Sequence, residues 1–314
     1  MGRASKGKRG LENQHEMFAA PEMGGDRKQF SFKLEGVRLP DNWAPKAPDQ
    51  TSAKSKLIAE YISKFQLITR GGLFIDGFSA PQSREHEDAW TARKVLEIEP
   101  KWLRAFWLCD IESGGLMQLR RLKDAHDKNP RSRHVFVMEG DFNQTVKLIL
   151  KSPKMRRQTA IFALLDQRNT ECHWATVKAL AARAGRTKIE LLYFLGTSWL
   201  HRSLAASVRP ERLSEISQWW GGDGWQKLKE LSQAQIVEAM ATRFTKELGY
   251  RFANAYPIFQ QEEGSKPAFH LIHASDHPDA RKLMARAYVK IVGDARGVDS
   301  GRQQPLFPEP PQHF

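Results

Sequence analysis

Four aspartates fall where short apolar runs end. Asp76 closes the run in Phe74-Ile-Asp-Gly-Phe78, and Asp110 closes the run from Arg104. Asp141 follows the run His134–Met138 in Glu139-Gly-Asp-Phe142, and Asp166 closes the run from Ala160. An ionised carboxylate only accepts hydrogen bonds and carries charge, so such a set suits a ligand rich in donors. A carboxylate after the second run can take both hydroxyls of a ribose. One after the third can accept from an adenine amino group, with Phe142 against the ring. Asp76 and the following Gly77, Phe78 and Ala80 would form the loop nearest such a ligand. Each aspartate can instead simply cap the next helix or turn the chain. Their recurrence at the same point of successive units favours the site.

The elements that position them alternate strand and helix. Strands are expected at Leu73–Asp76, Arg104–Asp110, His134–Met138, Ala160–Asp166 and Ile189–Leu195. Helices are expected near Glu87–Ile98 and over Leu116–His126, Phe142–Leu150 and Trp174–Ala184. Parallel neighbours need crossovers, and right-handed crossovers place helices on both faces. Ahead of them, Leu57, Ile58, Tyr61, Ile62 and Phe65 mark a helix capped by Thr51 or Ser52. Pro210–Leu248 is helical and Trp-rich. Tyr250–Phe259 and Ala268–Ala274 then form a hairpin around a polar turn at Gln260–Lys266, and a last helix covers Asp279–Ile291. The expected fold class is α/β: a doubly wound, mostly parallel seven-stranded sheet with a helical, winged-helix-like insertion. Five parallel strands closed by a hairpin is the order of a class I S-adenosylmethionine (SAM) dependent methyltransferase. Residues 1–50 read as a basic arm and extended lead-in, and 51–209 with 250–292 as the α/β domain. Residues 210–249 read as the insertion, and 293–314 as a loose Pro- and Gln-rich tail.

From about residue 50 to 292 the sequence resembles the three-Cys-motif partner (TcmP) family. The resemblance rests on Thr51-x-x-Lys54 leading into Leu57 and Tyr61, on Phe74-Ile-Asp-Gly-Phe78, and on Phe162-x-x-Leu-Asp166 with Trp174-Ala-Thr176. It continues through Glu190-Leu-Leu-Tyr-Phe194 with Arg202, Gly224-Trp225 and Leu271-Ile-His-Ala-Ser-Asp-His277. It implies a methyltransferase-like fold, SAM as methyl donor, a partner protein with three cysteines encoded nearby, and a link to phage or mobile DNA, phage defence included. It also implies a target amine held by the Asp166 side chain and the Gln167 carbonyl. The chain departs from the family where the glycine loop carries Ala80 and Gln82, and where Asp-Pro-Phe/Tyr-Gly is replaced by Asp166-Gln-Arg-Asn169. Gln50 stands where the family has His. Two functions follow: methylation of a nucleic-acid base, DNA or RNA, or a catalytically lapsed relative that binds nucleic acid or a partner protein.

The formal charge is +13, from 49 Lys and Arg against 36 Asp and Glu, which favours a polyanionic partner over a chance excess. Lys54, Arg202 and Arg209 are the candidate nucleic-acid contacts, the last two because they follow the fifth strand at its ligand end. The Lys151–Arg157 and Arg183–Lys188 stretches precede strands and belong at the opposite end. Gln303, Leu306 and Phe307 in the tail are similar to the Gln-x-x-Leu-Phe peptide that docks on the bacterial sliding clamp. Two cysteines build neither a disulfide framework nor a Cys-based zinc site. His270 and His273 on one strand would face opposite sides, so no metal is expected. No Gly-x-Ser-x-Gly elbow occurs, and Trp219, Trp220 and Trp225 suit a core better than a base-stacking surface. With no long apolar run and no secretory signal, a cytoplasmic protein without a membrane partner is expected.

Overall fold

The computed structural model describes residues 50–81, 89–127, 133–155, 159–206, 209–259 and 267–292. The N-terminal arm, Gln82, the hairpin turn at 260–266 and the tail with Gln303, Leu306 and Phe307 lie outside them. Seven strands form one sheet in the order β3-β2-β1-β4-β5-β7-β6. They are β1 (Leu73–Asp76), β2 (Ala105–Asp110), β3 (His134–Glu139), β4 (Ile161–Leu165), β5 (Glu190–Leu195), β6 (Phe252–Phe259) and β7 (Pro267–Ser275). The first five run parallel, and β7 is antiparallel to both β5 and β6. This is the expected sheet, closed by its hairpin.

Every residue of the central strands β1, β4 and β5 is buried, because both faces are covered, and their two acidic side chains, Asp76 and Glu190, lie at strand ends and are hydrogen-bonded. Alternation sorts the side chains. Leu73, Ile75, Trp107, Ala163, Leu165 and Tyr193 face one core, and Phe74, Phe106, Phe162, Leu164 and Phe194 the other. The second core is covered by α1 (Gln50–Thr69), α2 (Thr91–Glu97), α3 (Ser113–His126) and the C-terminal helix Pro278–Val292. Helix α1 starts at Gln50, so Thr51 and Ser52 fall in its first turn rather than before it. It buries Leu57, Ile58, Tyr61, Ile62 and Phe65, as their spacing requires.

The first core is covered by α4 (Phe142–Leu150), α5 (Trp174–Ala181) and the helical segment after β5. That segment comprises α6 (Thr197–Ala206), α7 (Pro210–Trp220), a 3-10 helix at Asp223–Glu230 and α8 (Gln233–Lys246). Among its described residues it is helical. Trp219 and Trp225 are buried in the same core as Tyr193, and the Trp219 indole donates to the Tyr193 hydroxyl at 2.6 Å. The Arg243 guanidinium lies 3.9 Å from the Trp174 ring centroid and 4.0 Å from that of Trp220, while Glu247 accepts from both Arg243 and Trp174. Gly221, at φ 85°, ends α7 against the Trp174 ring, where a Cβ would lie 2.9 Å from Cδ1. The insertion is therefore clamped onto the sheet through Trp174.

Candidate active site

In an open α/β sheet the crevice opens where strand order reverses, beyond the carboxyl ends of the strands. Here that point lies between β1 and β4, and Asp76 and Asp166 stand at it. A cleft of about 600 Å³ occupies this end of the sheet. Its wall includes all four strand-end aspartates, together with Gly77, Phe78, Ala80 and Phe142. The volume is that of an ordinary small-molecule site.

Each aspartate is held differently. Asp76 is 1% exposed, and its Oδ1 accepts from Phe78 N–H at 3.2 Å. Burial, reinforced by the nearby Asp166 and Asp110, pushes its carboxyl up to about 8. Asp110 accepts from Ala80 N–H at 3.1 Å and Glu112 N–H at 2.9 Å, which ties the β1 loop to the end of β2. Asp141 caps α4, accepting from the Asn143 backbone N–H at 2.9 Å and its side-chain amide at 2.8 Å. Here a cap and a cleft wall are one residue. Asp166 receives Lys54 Nζ on both oxygens, at 2.9 Å and 2.8 Å.

The loop after β1 is knitted by Ser79. Its hydroxyl donates to Asp76 O and accepts from Cys109 N–H, while its N–H donates to Cys109 O. The Phe142 ring covers Gly77 so closely that a Cβ there would sit 2.8 Å from it. This ring is buried in the core and meets Phe78 edge-on at 5.8 Å, so only part of it is available to a ligand. Ala80 packs on Gly115, where a Cβ on the glycine would lie 2.5 Å from the Ala80 methyl. The Ala80 methyl thus leans on α3.

One expectation changes. Lys54, read as a phosphate contact, is 4% exposed and spends its charge on Asp166 between the Phe194 and Phe269 rings. The Gln167 side chain turns into the protein, its NH2 donating to Phe194 O and its Oε1 accepting from Cys172 N–H, so it braces the β4 turn, whereas the expectation concerned the main-chain carbonyl of Gln167. Arg209 is exposed at the start of α7, and Arg212, three residues on, lines the cleft. Arg202 falls on α6, with its side chain outside the described structure. His270 bonds Thr197 and His273 bonds Glu190, two unrelated partners; burial holds His270 down at about 3.

Sequence reasoning missed several wall residues. Trp90 donates to Ser79 O at 2.6 Å and forms one side. Asn143 joins two loops by accepting from His173 N–H and Thr176 Oγ1 and donating to Glu171 O. Arg168, Arg212 and Glu215 line the mouth. Only their proximity in the fold reveals them.

Charge defines what the cleft can hold. Among the described residues seven carboxyl side chains line it: Asp76, Asp110, Glu112, Asp141, Asp166, Glu171 and Glu215. The cationic side chains in its wall are Lys54, Arg168 and Arg212, paired respectively with Asp166, Glu112 and Glu215. The wall is therefore acidic although the chain carries +13. A ligand with positive groups and ribose hydroxyls fits this donor-poor, acceptor-rich wall, and a phosphate does not. SAM, with its sulfonium and ammonium, has that chemistry.

No protein-family model and no curated protein matches the sequence. Among solved structures the chain is similar to a DUF574 family protein from Streptomyces avermitilis, at 10% identity over 72% of this chain and 83% of that one, TM-score 0.41. It is similar to the methyltransferase domain of bacterial-CtHen1-CN, at 9% identity over 71% and 99%, TM-score 0.41. It is also similar to the CurJ carbon methyltransferase, at 12% identity over 66% of this chain, TM-score 0.36, and spans about half (49%) of that chain's length. What the cleft can hold follows from its own side chains.

Proposed function

We propose that this protein is a SAM-dependent methyltransferase, similar to the TcmP family, whose acceptor is the amino group of a nucleic-acid base. The observation that carries the reading is the acidic cleft at the strand-order reversal, with four strand-end aspartates around one volume. When bound, SAM supplies an electrophilic methyl group on a sulfonium. Asp110 and Asp141 would hold its ribose and adenine, with Ile111, Phe78 and Trp90 as apolar wall. Asp76 would face its positive groups. Asp166 would accept from the target amine and so aim the nitrogen lone pair.

A neutral base can enter an acidic cleft while its phosphates stay outside. Among the described residues the positive excess lies outside the cleft wall, which suits that division. The chain has no stacking ring beside Asp166, since Gln167, Arg168 and Asn169 follow it. That feature favours a second reading, a lapsed relative that binds nucleic acid without chemistry. In either reading a three-cysteine partner protein or the sliding clamp would be a docking partner rather than a substrate.

Incubation with SAM labelled in its methyl group, undermethylated DNA and total RNA separates the two. The first reading expects label in one nucleic acid, at a rate that falls steeply with salt. Binding of nucleic acid without label supports the second, and neither binding nor label sinks both.

A further inference from the structure

The Lys54–Asp166 pair is unusual in its placement. Lys54 comes from the first turns of α1, 112 residues before its partner, and reaches the cleft floor almost fully buried. Its ammonium contacts both carboxylate oxygens, with the Phe194 and Phe269 rings 5.2 and 5.8 Å away. Beside the pair stands Asp76 on the adjacent strand, buried among the same groups. A lysine that only cemented α1 to the sheet would need no carboxylate in a ligand cleft, since α1 already buries five large apolar side chains.

We propose that Lys54 is a positioning residue for the acceptor amine, fixing the Asp166 carboxylate so that it faces an amino N–H at the cleft floor. The inference rests on the methyl-transfer reading of the cleft. Bidentate contact removes the rotational freedom of the carboxylate and leaves one lone pair on each oxygen for a ligand. It also places a positive charge beside the buried Asp76. In the reaction the amine nitrogen forms a bond to the methyl carbon as the carbon–sulfur bond breaks and its electron pair returns to sulfur. The proton released from nitrogen passes to Asp166, so the products are the methylated amine, neutral sulfide and a protonated carboxyl.

The groups facing Asp166 and Asp76 are Lys54 from α1, Asp110 from β2 and each other. Removing the ammonium takes away a charge that holds the Asp76 carboxyl down, so Asp76 keeps its proton to higher pH. The experiment compares full-length wild type, Lys54→Arg, Lys54→Met and Lys54→Met/Asp166→Asn. It measures S-adenosylhomocysteine affinity and labelled-methyl transfer to undermethylated DNA and total RNA between pH 6 and 9. Lys54→Met is expected to bind S-adenosylhomocysteine within a few-fold of wild type but to transfer about a hundredfold more slowly at neutral pH. Its rate should recover toward pH 9, and Lys54→Arg should restore most of it. The double variant should fold and bind but not transfer.

A Lys54→Met rate equal to wild type overturns the inference. So does a loss that is the same at every pH and reversed in the double variant, which is the mark of a purely structural lysine. Wild type that binds S-adenosylhomocysteine yet labels neither nucleic acid overturns the methyl-transfer reading of the cleft. In that case the transfer-independent behaviour of the pair still shows which failed: a carboxyl infrared band that grows at pH 7 in Lys54→Met and not in Lys54→Arg locates the error in the reaction.

Discussion

Replacing Asp76 by Asn should stabilise the protein, and more so at higher pH. An aspartate in an unfolded chain titrates near ~3.9, whereas burial beside Asp166 and Asp110 places Asp76 at about 8. The folded state therefore holds the proton more tightly, and stability declines as pH rises from the unfolded value to the folded one. Integrated over that interval, the ionisable side chain costs roughly 4 kcal/mol at pH 7, and the cost grows by roughly 3 kcal/mol between about pH 5.5 and about pH 8. Asn keeps an acceptor oxygen for the Phe78 N–H that Asp76 holds at 3.2 Å, and it has nothing to titrate. Urea unfolding of both proteins at several pH values gives the difference directly. The gain should be small at the acidic end and larger by about 2–3 kcal/mol near pH 8. A gain that does not change with pH, or a loss that deepens as pH rises, would refute the picture of a protonated Asp76.

Two further perturbations test the frame around the cleft. Arg243→Met removes a guanidinium held between two indoles and a carboxylate; the expected loss is about 2–3 kcal/mol, with proteolytic cutting first appearing in the 210–246 segment. Cutting that appears uniformly along the chain would count against a clamp at Trp174. Gly77→Ala drives a methyl into the Phe142 ring, so it should lower stability by about 1–3 kcal/mol and weaken S-adenosylhomocysteine binding as the ring moves. Unchanged thermal unfolding would mean that the ring yields without cost.

The parallel sheet was legible because each central strand is buried on both faces and so reads as an unbroken apolar run. Leu73–Asp76 and Phe142–Leu150 have the expected ends, since an aspartate marks each boundary. Helix α2 is shorter than its pattern, starting at Thr91 after Trp90, because the Trp90 indole is bonded to the β1 loop. The helical insertion was legible as helix, from the spacing of its buried apolar residues. Within the site, the strand-end aspartates could be read from the sequence, because fold topology fixes where a strand ends. The partner of Lys54 could not: nothing local links residues 54 and 166. Gln167 followed the same limit, because a backbone turn, and not residue type, decided which way its amide points.

The charge balance, +13 overall around an acidic cleft, leads to the central claim that the cleft binds a cationic methyl donor. Titration calorimetry with SAM and with S-adenosylhomocysteine, each in two buffers of different ionisation enthalpy near pH 7.5, tests it most directly. The expected result is that both bind, SAM more tightly, with proton release on SAM binding that disappears in Asp76→Asn. No binding of either ligand at millimolar concentration would contradict the account.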